Sequence, residues 1–359
     1  MKKTLSIILA ALMLFSLSTV AFAANYDQVF DSGVMGIEDY RIPALYTLND
    51  GSVIAAADMR YDHGSDSPNN IDSLVAISKD GYTGWDYKVI NHFADYADGV
   101  TDAASASFID MAVAQSSTGR IFVVVDAQPA NCGYLQCKQG TGYAVINGKN
   151  RKLLTTGDNT NLKGFAYYIG DFKDGLAPIK NRSDDVETGY FVDAEFNLYK
   201  GNAKLMTEQK GNKDASVQVQ DNVFFADAPF RCFMTTYLWM RYSDNNGASW
   251  SEPVILTDDV KNNSEFFLGI CPGKGYVLPL EKDENGNVTK ERILFAVYDN
   301  GIVGLNTFEN VSTIYSDDNG VTWKRGAETV CGFQVGKTSE SQIVELNDGV
   351  LRMFSRNNG

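Results

Sequence analysis

Residues 339–356 read Ser-Glu-Ser-Gln-Ile-Val-Glu-Leu-Asn-Asp-Gly-Val-Leu-Arg-Met-Phe-Ser-Arg. Its centre, residues 347–349 (Asn-Asp-Gly), lies between two apolar runs. Asp-Gly accepts the positive φ angles of a tight two-residue turn, so the stretch predicts a β-hairpin. Because the open ends of an antiparallel hairpin lie side by side, we expect Glu340 and Arg356 to meet at one rim.

The same turn occurs near the start of the chain. Residues 48–51 also read Leu-Asn-Asp-Gly, with Arg41 before this turn and Arg60 after it. A turn that is used twice, each time with arginine at the open end, indicates a structural repeat. We expect the repeats to build a single anion-binding site.

Short strand-like runs dominate the rest of the chain, and no long stretch keeps a helical period. Residues 243–250 (SDNNGASW) and 316–323 (SDDNGVTW) share the pattern S-x-[DN]-x-G-x-[ST]-W, and residues 78–85 form a degenerate copy with a displaced glycine. In these boxes the short polar side chains can hydrogen-bond the turn backbone, and the tryptophan can hold the hairpin to its neighbour. The sequence therefore predicts an all-β fold in which the boxes are structural.

The spacing of the boxes indicates an insertion, because the first two copies lie more than twice as far apart as the last two. We predict that residues 24–132 and 232–359 form the main fold. Residues 133–231, rich in Lys, Asn, Gly and Tyr, are expected to form a small inserted β subdomain that overhangs one face.

The N-terminus has the features of a secretory signal. Residues 1–23 combine a dilysine, an apolar run and an Ala-Phe-Ala cleavage site, so we expect a secreted or cell-surface bacterial protein cleaved near Ala23. No later apolar run of the sequence is long enough to span a bilayer, so no membrane insertion is expected.

Charge and cysteine content restrict the partners. The formal net charge of −14 argues against binding to nucleic acid or anionic lipid, so an anionic ligand requires a local arginine cluster. Five cysteines are too few for a disulfide scaffold, and no CxxC pair indicates zinc. Cys132 and Cys137 are compatible with a small-loop disulfide or with two free thiols.

Residues 40–43 (Tyr-Arg-Ile-Pro) resemble the F/Y-R-I-P motif of bacterial sialidases (neuraminidases), and the boxes resemble that family's Asp boxes. The resemblance covers nearly the whole chain after residue 25. It implies a six-bladed β-propeller, incomplete in this chain, with an inserted β subdomain. It also implies a glycoside hydrolase, an exo-α-sialidase that removes terminal sialic acids from glycoproteins, glycolipids and mucins with retention. No cofactor or metal is implied, and we expect a monomer.

Three arginines match positions of the family's motif. Planar guanidinium groups bind carboxylates in a bidentate manner, and sialic acid carries a carboxylate on its anomeric carbon. The resemblance implies that Arg41 and Arg356 form two arms of a carboxylate clamp. Arg60 is expected beside the clamp, near O4 of the sugar.

Two carboxylates match the family's spacing to these arginines. The resemblance implies that Asp66 is the general acid for the glycosidic oxygen and then the base for water. It implies that Glu340 takes the proton of a tyrosine nucleophile, since sialidases use tyrosine where most retaining glycosidases use a carboxylate. Ile42 and Asp110 are further candidates for lining the pocket, although core packing is an equal alternative for the apolar residue.

The resemblance also implies a nucleophilic tyrosine and a third clamp arginine after Arg356. None of the 18 tyrosines fits that place in the order, so we expect the last propeller blades to be missing from this sequence. Two alternatives remain open. One is an intramolecular trans-sialidase that releases an anhydro-sialic acid, and the other, if residue 359 is the true C-terminus, is a non-catalytic sialoglycan-binding propeller.

Overall fold

The structure is a computed structural model that describes residues 28–61, 63–81, 83–100, 104–214, 216–303, 306–327, 337–346 and 350–357, of which 301–303 and 306–308 are described by their backbone. The predicted signal sequence at 1–23, its cleavage near Ala23 and the turn residues 347–349 lie outside these ranges.

Strands make up nearly all of the regular structure. They are β1 (Asp39–Thr47), β2 (Val53–Arg60), β3 (Ile71–Ser78), β4 (Asp86–Asn91), β5 (Ser107–Gln115), β6 (Ile121–Gln128), β7 (Tyr143–Ile146), β8 (Lys149–Thr155), β9 (Tyr167–Ile169), β10 (Ala177–Asn181), β11 (Glu187–Val192), β12 (Leu198–Lys200), β13 (Ala203–Lys204), β14 (Met206–Glu208), β15 (Gln218–Gln220), β16 (Arg231–Cys232), β17 (Tyr237–Ser243), β18 (Val254–Ile255), β19 (Phe267–Ile270), β20 (Gly273–Lys274), β21 (Tyr276–Lys282), β22 (Val288–Val303), β23 (Asn306–Ser316), β24 (Lys324–Arg325), β25 (Thr338–Glu345) and β26 (Leu351–Asn357).

Helices are few and short in the described residues. They are the 3-10 turns Val34–Gly36 and Leu162–Gly164 and the single α-helix α1 (Thr257–Val260). In this part of the chain no helix has the length and apolar character needed to cross a membrane. The prediction of an all-β fold is confirmed.

Three sheets and one hairpin follow each other along the main fold. The first sheet has the order β1-β2-β3-β4, and the second has the order β18-β17-β6-β5-β20. The third runs β19-β22-β23-β24, with β21 also paired to β22, and β25 pairs with β26. Antiparallel neighbours dominate, as expected for strands joined by short turns.

Most strands between β6 and β17 form a sheet of their own, with the order β13-β12-β11-β10-β9-β8-β16 and β7 beside β8, and β14 pairs with β15 in a separate two-stranded sheet. Because β6 and β17 pair directly, the chain leaves and re-enters the second sheet at adjacent strands. The inserted segment and the main fold share an apolar core. In this core the ring of Phe224 packs on the rings of Phe93 and Trp239, with distances between ring centroids of 5.2 and 6.0 Å. The boundaries at 132/133 and 231/232 stay predictions.

The three boxes have a similar pattern of hydrogen bonds, each within its own turn. The Oγ of Ser243 accepts the backbone N–H of the glycine four residues later at 2.8 Å, and Ser316 does the same at 2.8 Å. In the degenerate copy, Ser78 accepts the N–H of Gly81 at 3.0 Å, one residue earlier in the turn. The polar side chains thus hold the turns together, as the sequence predicts.

The first repeated turn differs from the predicted two-residue turn. β1 ends at Thr47 and β2 begins at Val53, so five residues close the hairpin. The Leu48 N–H donates to the Ser52 carbonyl at 2.8 Å, and Gly51 takes a φ of 86°. A left-handed conformation costs a non-glycine residue about 1–2 kcal/mol, so a longer loop that places this conformation at its glycine is favoured over a tighter turn that needs it twice.

Candidate active site

Irregularities in three strands bring the candidate residues together. The register of β1 shifts around Ile42, that of β5 around Asp110, and that of β25 around residues 339–340. Ile42 and Asp110 have positive φ angles of 55° and 61°, which non-glycine residues rarely adopt. Bulges re-aim side chains out of the regular alternation of a strand and often occur next to functional sites.

A cavity of about 590 Å³ opens at these bulges. Six of the seven predicted site residues lie on its wall, although they come from the first sheet, the second sheet, the β25–β26 hairpin and the loop after β2. These residues are Arg41, Ile42, Asp66, Asp110, Glu340 and Arg356. Arg60, the seventh, is buried behind the wall.

Two arginines hold Asp66 at the mouth of this cavity. Its Oδ1 accepts hydrogen bonds from Nη1 of Arg60 at 2.8 Å and Nη1 of Arg41 at 3.3 Å. Both arginines also donate to the Gly64 carbonyl, at 2.8 and 2.7 Å respectively. The Asp66 side chain is still 67% exposed, so a tethered carboxylate remains accessible to a ligand.

Arg60 supports the site from inside the fold. Its side chain is fully buried and its Nη2 donates to Oδ2 of Asp58 at 2.8 Å. Burial raises the pKa of Asp58 to about 7, against the opposing charge of Arg60. The other Asp58 oxygen accepts the N–H of Asp110 at 2.9 Å and so connects the first bulge to the second. Direct contact of Arg60 with the sugar stays a prediction, while its contact with Asp66 is evident.

Glu340 and Arg356 meet at the open end of their hairpin, as the sequence predicts. Nη1 of Arg356 donates to Oε2 of Glu340 at 2.7 Å. This hydrogen bond and the charge of Glu340 raise the pKa of Arg356. The Arg356 side chain is 62% exposed and that of Arg41 is 45% exposed, so two guanidinium groups face the cavity from different sheets.

Two buried carboxyl groups lie on the inner wall. Burial raises the pKa of Asp110 well above its usual range, and the negative charges of Asp58 and Glu340 add to the rise. Burial likewise raises the pKa of Asp126, with a further contribution from Asp110. Oδ1 of Asp126 accepts the Ile270 N–H at 2.9 Å, whereas its Oδ2 has no hydrogen-bond partner within the described structure. A protonated carboxyl at this place can donate to a polar group of a ligand.

Sequence reasoning missed several residues of the wall. The sequence carries one signal for Asp126, because it is an acidic residue within the apolar run of β6. An aspartate is almost never fully buried unless it is paired, so its presence in such a run is unusual. The segment with Tyr134, Leu135 and Gln136 gave none, although all three line the cavity. The Tyr134 hydroxyl donates to Glu309, another wall residue, at 2.7 Å.

No group of His, Cys, Asp and Glu side chains suited to a metal ion occurs among the residues that the structure describes. The charged groups of the wall form ion pairs. Arg41 pairs with Asp66 and Arg356 pairs with Glu340, and Arg60, behind the wall, also pairs with Asp66. Such an arrangement can bind a carboxylate through guanidinium groups and place carboxyl groups beside it.

Comparison with known proteins identifies relatives over most of the chain. No protein-family model matches it. The anhydrosialidase of Macrobdella decora is 33% identical over 355 residues, which is 92% of this chain and 44% of that protein. Sialidase B of Streptococcus pneumoniae is 29% identical over 367 residues, 94% of this chain and 48% of that protein. The chain thus spans about half the length of these curated relatives.

A solved structure matches over most of its own length as well as over most of this chain. The intramolecular trans-sialidase from Ruminococcus gnavus, crystallised with oseltamivir carboxylate, has a TM-score of 0.78 and 30% identity. The alignment covers 92% of this chain and 68% of that one. The likeness confirms the predicted β-propeller type of fold, while the number of six blades stays a prediction. On this similarity in sequence and structure, the chain belongs to the sialidase family.

Proposed function

We propose that the cavity is the catalytic pocket of an exo-α-sialidase that acts on terminal sialic acids of glycoproteins, glycolipids and mucins. The observation that carries the proposal is the convergence of exposed Arg41 and Arg356 with Asp66 and Glu340 around one cavity. Family membership supports it, because the curated relatives are named for activity on sialic acid.

The charge distribution favours an anionic substrate at this place. The chain as a whole carries a net charge of −14, yet Arg41 and Arg356 expose their guanidinium groups at the cavity. A fork of N–H donors matches a carboxylate in geometry as well as in charge. In the proposed complex, the sugar carboxylate bonds to both arginines and competes with Asp66 for Arg41 and with Glu340 for Arg356.

The two exposed carboxyl groups have separate roles in the proposed reaction. Asp66 protonates the glycosidic oxygen as the tyrosine oxygen bonds to the anomeric carbon and the leaving group departs. Asp66 then takes a proton from water, which attacks the same carbon and displaces the tyrosine, so two successive displacements give retention. Glu340 takes the proton of a tyrosine hydroxyl, whose neutral form avoids repulsion by the substrate carboxylate. Arg60 keeps Asp66 in position throughout.

An intramolecular trans-sialidase is the second candidate. In that reaction a hydroxyl of the same sugar replaces water, and an anhydro-sialic acid is released. Two relatives at 30% identity or more carry names of this kind, the Macrobdella decora anhydrosialidase and the Ruminococcus gnavus intramolecular trans-sialidase. We also propose secretion, on the pattern of residues 1–23.

Binding is tested first, by calorimetric titration of the chain with methyl α-sialoside. We expect binding, its loss in Arg41→Met and Arg356→Met, and its retention in Arg292→Met. Arg292 is a matched control because it also pairs with an aspartate, Asp317 at 2.7 Å, outside the cavity. Equal binding of methyl β-galactoside, or no effect of the first two variants, would overturn the proposed substrate.

Turnover is tested on the full-length protein as its gene encodes it. A fluorogenic sialoside reports cleavage, and mass spectrometry of the released sugar separates the two enzymes, because the anhydro product is lighter by one water. Free sialic acid supports the hydrolase, and the lighter product supports the trans-sialidase. Binding without any release would identify a sialoglycan-binding propeller instead.

A further inference from the structure

A short loop between β6 and β7 carries part of the cavity wall and has a cysteine at each end. This 132–137 loop reads Cys-Gly-Tyr-Leu-Gln-Cys. The Sγ atoms of Cys132 and Cys137 lie 3.7 Å apart, and both residues are buried. The Gln136 N–H donates to the Gly133 carbonyl at 3.0 Å and the Cys137 N–H donates to it at 3.2 Å, so the loop turns back on itself.

The 132–137 loop touches the proposed site in two ways. Three of its residues line the cavity, and Leu135 among them is 83% exposed. At its base, a Cβ on Gly133 would lie only 2.1 Å from the carbonyl oxygen of Ser67, the residue next to Asp66. The backbone of the loop is therefore in close contact with the segment that carries the proposed acid.

The surroundings of Cys137 favour its thiolate form. Its Sγ lies 3.3 Å from Oγ1 of Thr236, and the ammonium of Lys261 is buried nearby, donating to the Phe266 carbonyl at 2.8 Å. Burial acts to raise the pKa of Cys137, but the hydrogen bond with Cys132 and the charge of Lys261 outweigh it and lower the pKa. The thiolate is the form that attacks a disulfide.

We propose that Cys132 and Cys137 are a site of reversible oxidation, in which a low-molecular-weight disulfide closes the 132–137 loop by an internal disulfide bond. The Cys137 thiolate attacks one sulfur of the small disulfide and releases one small thiolate. The Cys132 thiol then loses its proton to that thiolate, attacks the sulfur of Cys137 and releases the second half of the small disulfide as a thiolate. Two protein thiols are oxidised to one disulfide, and one small disulfide is reduced to two thiols.

Closing the bond shortens the distance between the two sulfurs from 3.7 Å to about 2.05 Å. The ends of a six-residue loop then move toward each other, and Tyr134, Leu135 and Gln136 shift at the cavity. Oxidation therefore changes how tightly the cavity holds its ligand. This second step rests on the proposed function, whereas formation of the bond does not.

The bond is tested by peptide mapping of the native chain after incubation with oxidised glutathione or with a reductant. Tryptic cleavage after Arg120 and Lys138 leaves both cysteines in one peptide, residues 121–138. After denaturation and alkylation, we expect the reduced sample to carry an alkyl group on each cysteine. The oxidised sample should carry neither and should be lighter by two hydrogen atoms before alkylation. A persistent glutathione adduct, a link to another cysteine, or two alkylated thiols after oxidation would each overturn the proposal.

The effect on the site is tested by backbone hydrogen exchange and by ligand affinity. We expect slower exchange in residues 64–68 on oxidation, and a change of about three- to tenfold in the affinity for methyl α-sialoside, which is at most about 1.4 kcal/mol of binding free energy. Cys132→Ser should show neither response, with Cys137→Ala as a second variant if the first folds poorly. Cys271→Ala, which removes another buried thiol of the same core, should respond like the wild type.

The two proposals fail in different ways. An altered exchange pattern without any binding of the sialoside would leave the redox site standing and overturn the proposed substrate. Binding that is identical in both redox states, despite a mapped disulfide, would overturn the effect on the site. Identical exchange in residues 64–68 would overturn the coupling between the loops.

Discussion

Arg356 donates a hydrogen bond from Nη1 to Oε2 of Glu340 across 2.7 Å, although the two residues lie on opposite strands of the β25–β26 hairpin. The proposed base and one arm of the proposed clamp are thus direct partners before any ligand enters. A substrate carboxylate must share Arg356 with Glu340, and this competition leads to the first prediction.

Glu340→Gln should separate binding from turnover. The amide can still accept from Arg356, but it removes a negative charge that competes with the ligand, so we expect equal or tighter binding of methyl α-sialoside. Turnover should fall by about 10²- to 10⁴-fold, the usual contribution of a positioned proton acceptor. Calorimetry and initial rates on the full-length protein measure the two effects. Glu281→Gln, at an exposed carboxylate paired with Lys290, is the control. Unchanged turnover in Glu340→Gln would show that Glu340 is not the proton acceptor of the reaction.

Arg60→Met should lower the free energy of unfolding by about 3–5 kcal/mol, because it leaves the buried carboxyl of Asp58 without its partner. Urea denaturation followed by circular dichroism measures the loss. The double variant Arg60→Met/Asp58→Leu should recover part of it, because neither buried charge remains. Arg292→Met breaks a partly exposed pair and should cost no more than about 1 kcal/mol. Equal losses in the two single variants would contradict the role of burial.

Gly133→Ala should displace the 132–137 loop from the segment beside Asp66. The added Cβ meets the Ser67 carbonyl oxygen at 2.1 Å, and this contact is to backbone, so one of the two segments must move. We expect a destabilisation of about 1–3 kcal/mol and faster hydrogen exchange in residues 64–68. In Gly157→Ala the nearest heavy atom lies at 3.8 Å, so this variant should resemble the wild type in both measurements.

Lys152 should make stability rise with pH on the alkaline side. Its ammonium lies over the ring of Tyr237 at 3.3 Å, and burial lowers the pKa of Lys152 from 10.5 to about 7. Between these two values the unfolded chain binds the proton and the folded chain does not, so the unfolding free energy increases as pH rises. The span corresponds to roughly 5 kcal/mol at most, at about 1.4 kcal/mol per pH unit.

Denaturation curves at several pH values between 7 and 10.5 test this dependence. Lys152→Met should remove this contribution and be more stable than the wild type near pH 7. Lys149→Met, at an exposed lysine paired with Asp171, should keep the wild-type slope. A slope that persists unchanged in Lys152→Met would assign it to other groups.

Local sequence patterns explain why much of the fold could be predicted. The boxes at 243–250 and 316–323 close through hydrogen bonds within a few residues, so their sequence determines their shape. The hairpin at β25 and β26 likewise brings Glu340 to Arg356 through pairing alone. The predicted two-residue turn was wrong at residues 48–52, because the length of a loop also depends on which residue can accept a positive φ.

Long-range contacts explain what sequence reasoning missed. Whether Arg60 lies in solvent or in the core depends on Asp58 and on the sheets packed around both residues. The residues next to Arg60 in the sequence do not indicate its burial. Asp126 lies on the cavity wall because β5 and β6 pair, which brings it beside the bulge at Asp110. The contact of Gly133 with Ser67 joins segments that no repeat or motif relates.

Neighbouring residues alone specified the all-β class, the turns of the boxes, the family and the identity of six residues on the cavity wall, because turn chemistry, strand alternation and motif spacing are local properties of the sequence. The packing of the sheets was needed to show that Arg60 is a buried support, that Asp126 lies on the wall, and that the Cys132 and Cys137 thiols lie 3.7 Å apart. Burial, bulges and contacts between distant segments arise when the sheets pack together, and packing is a property of the whole chain.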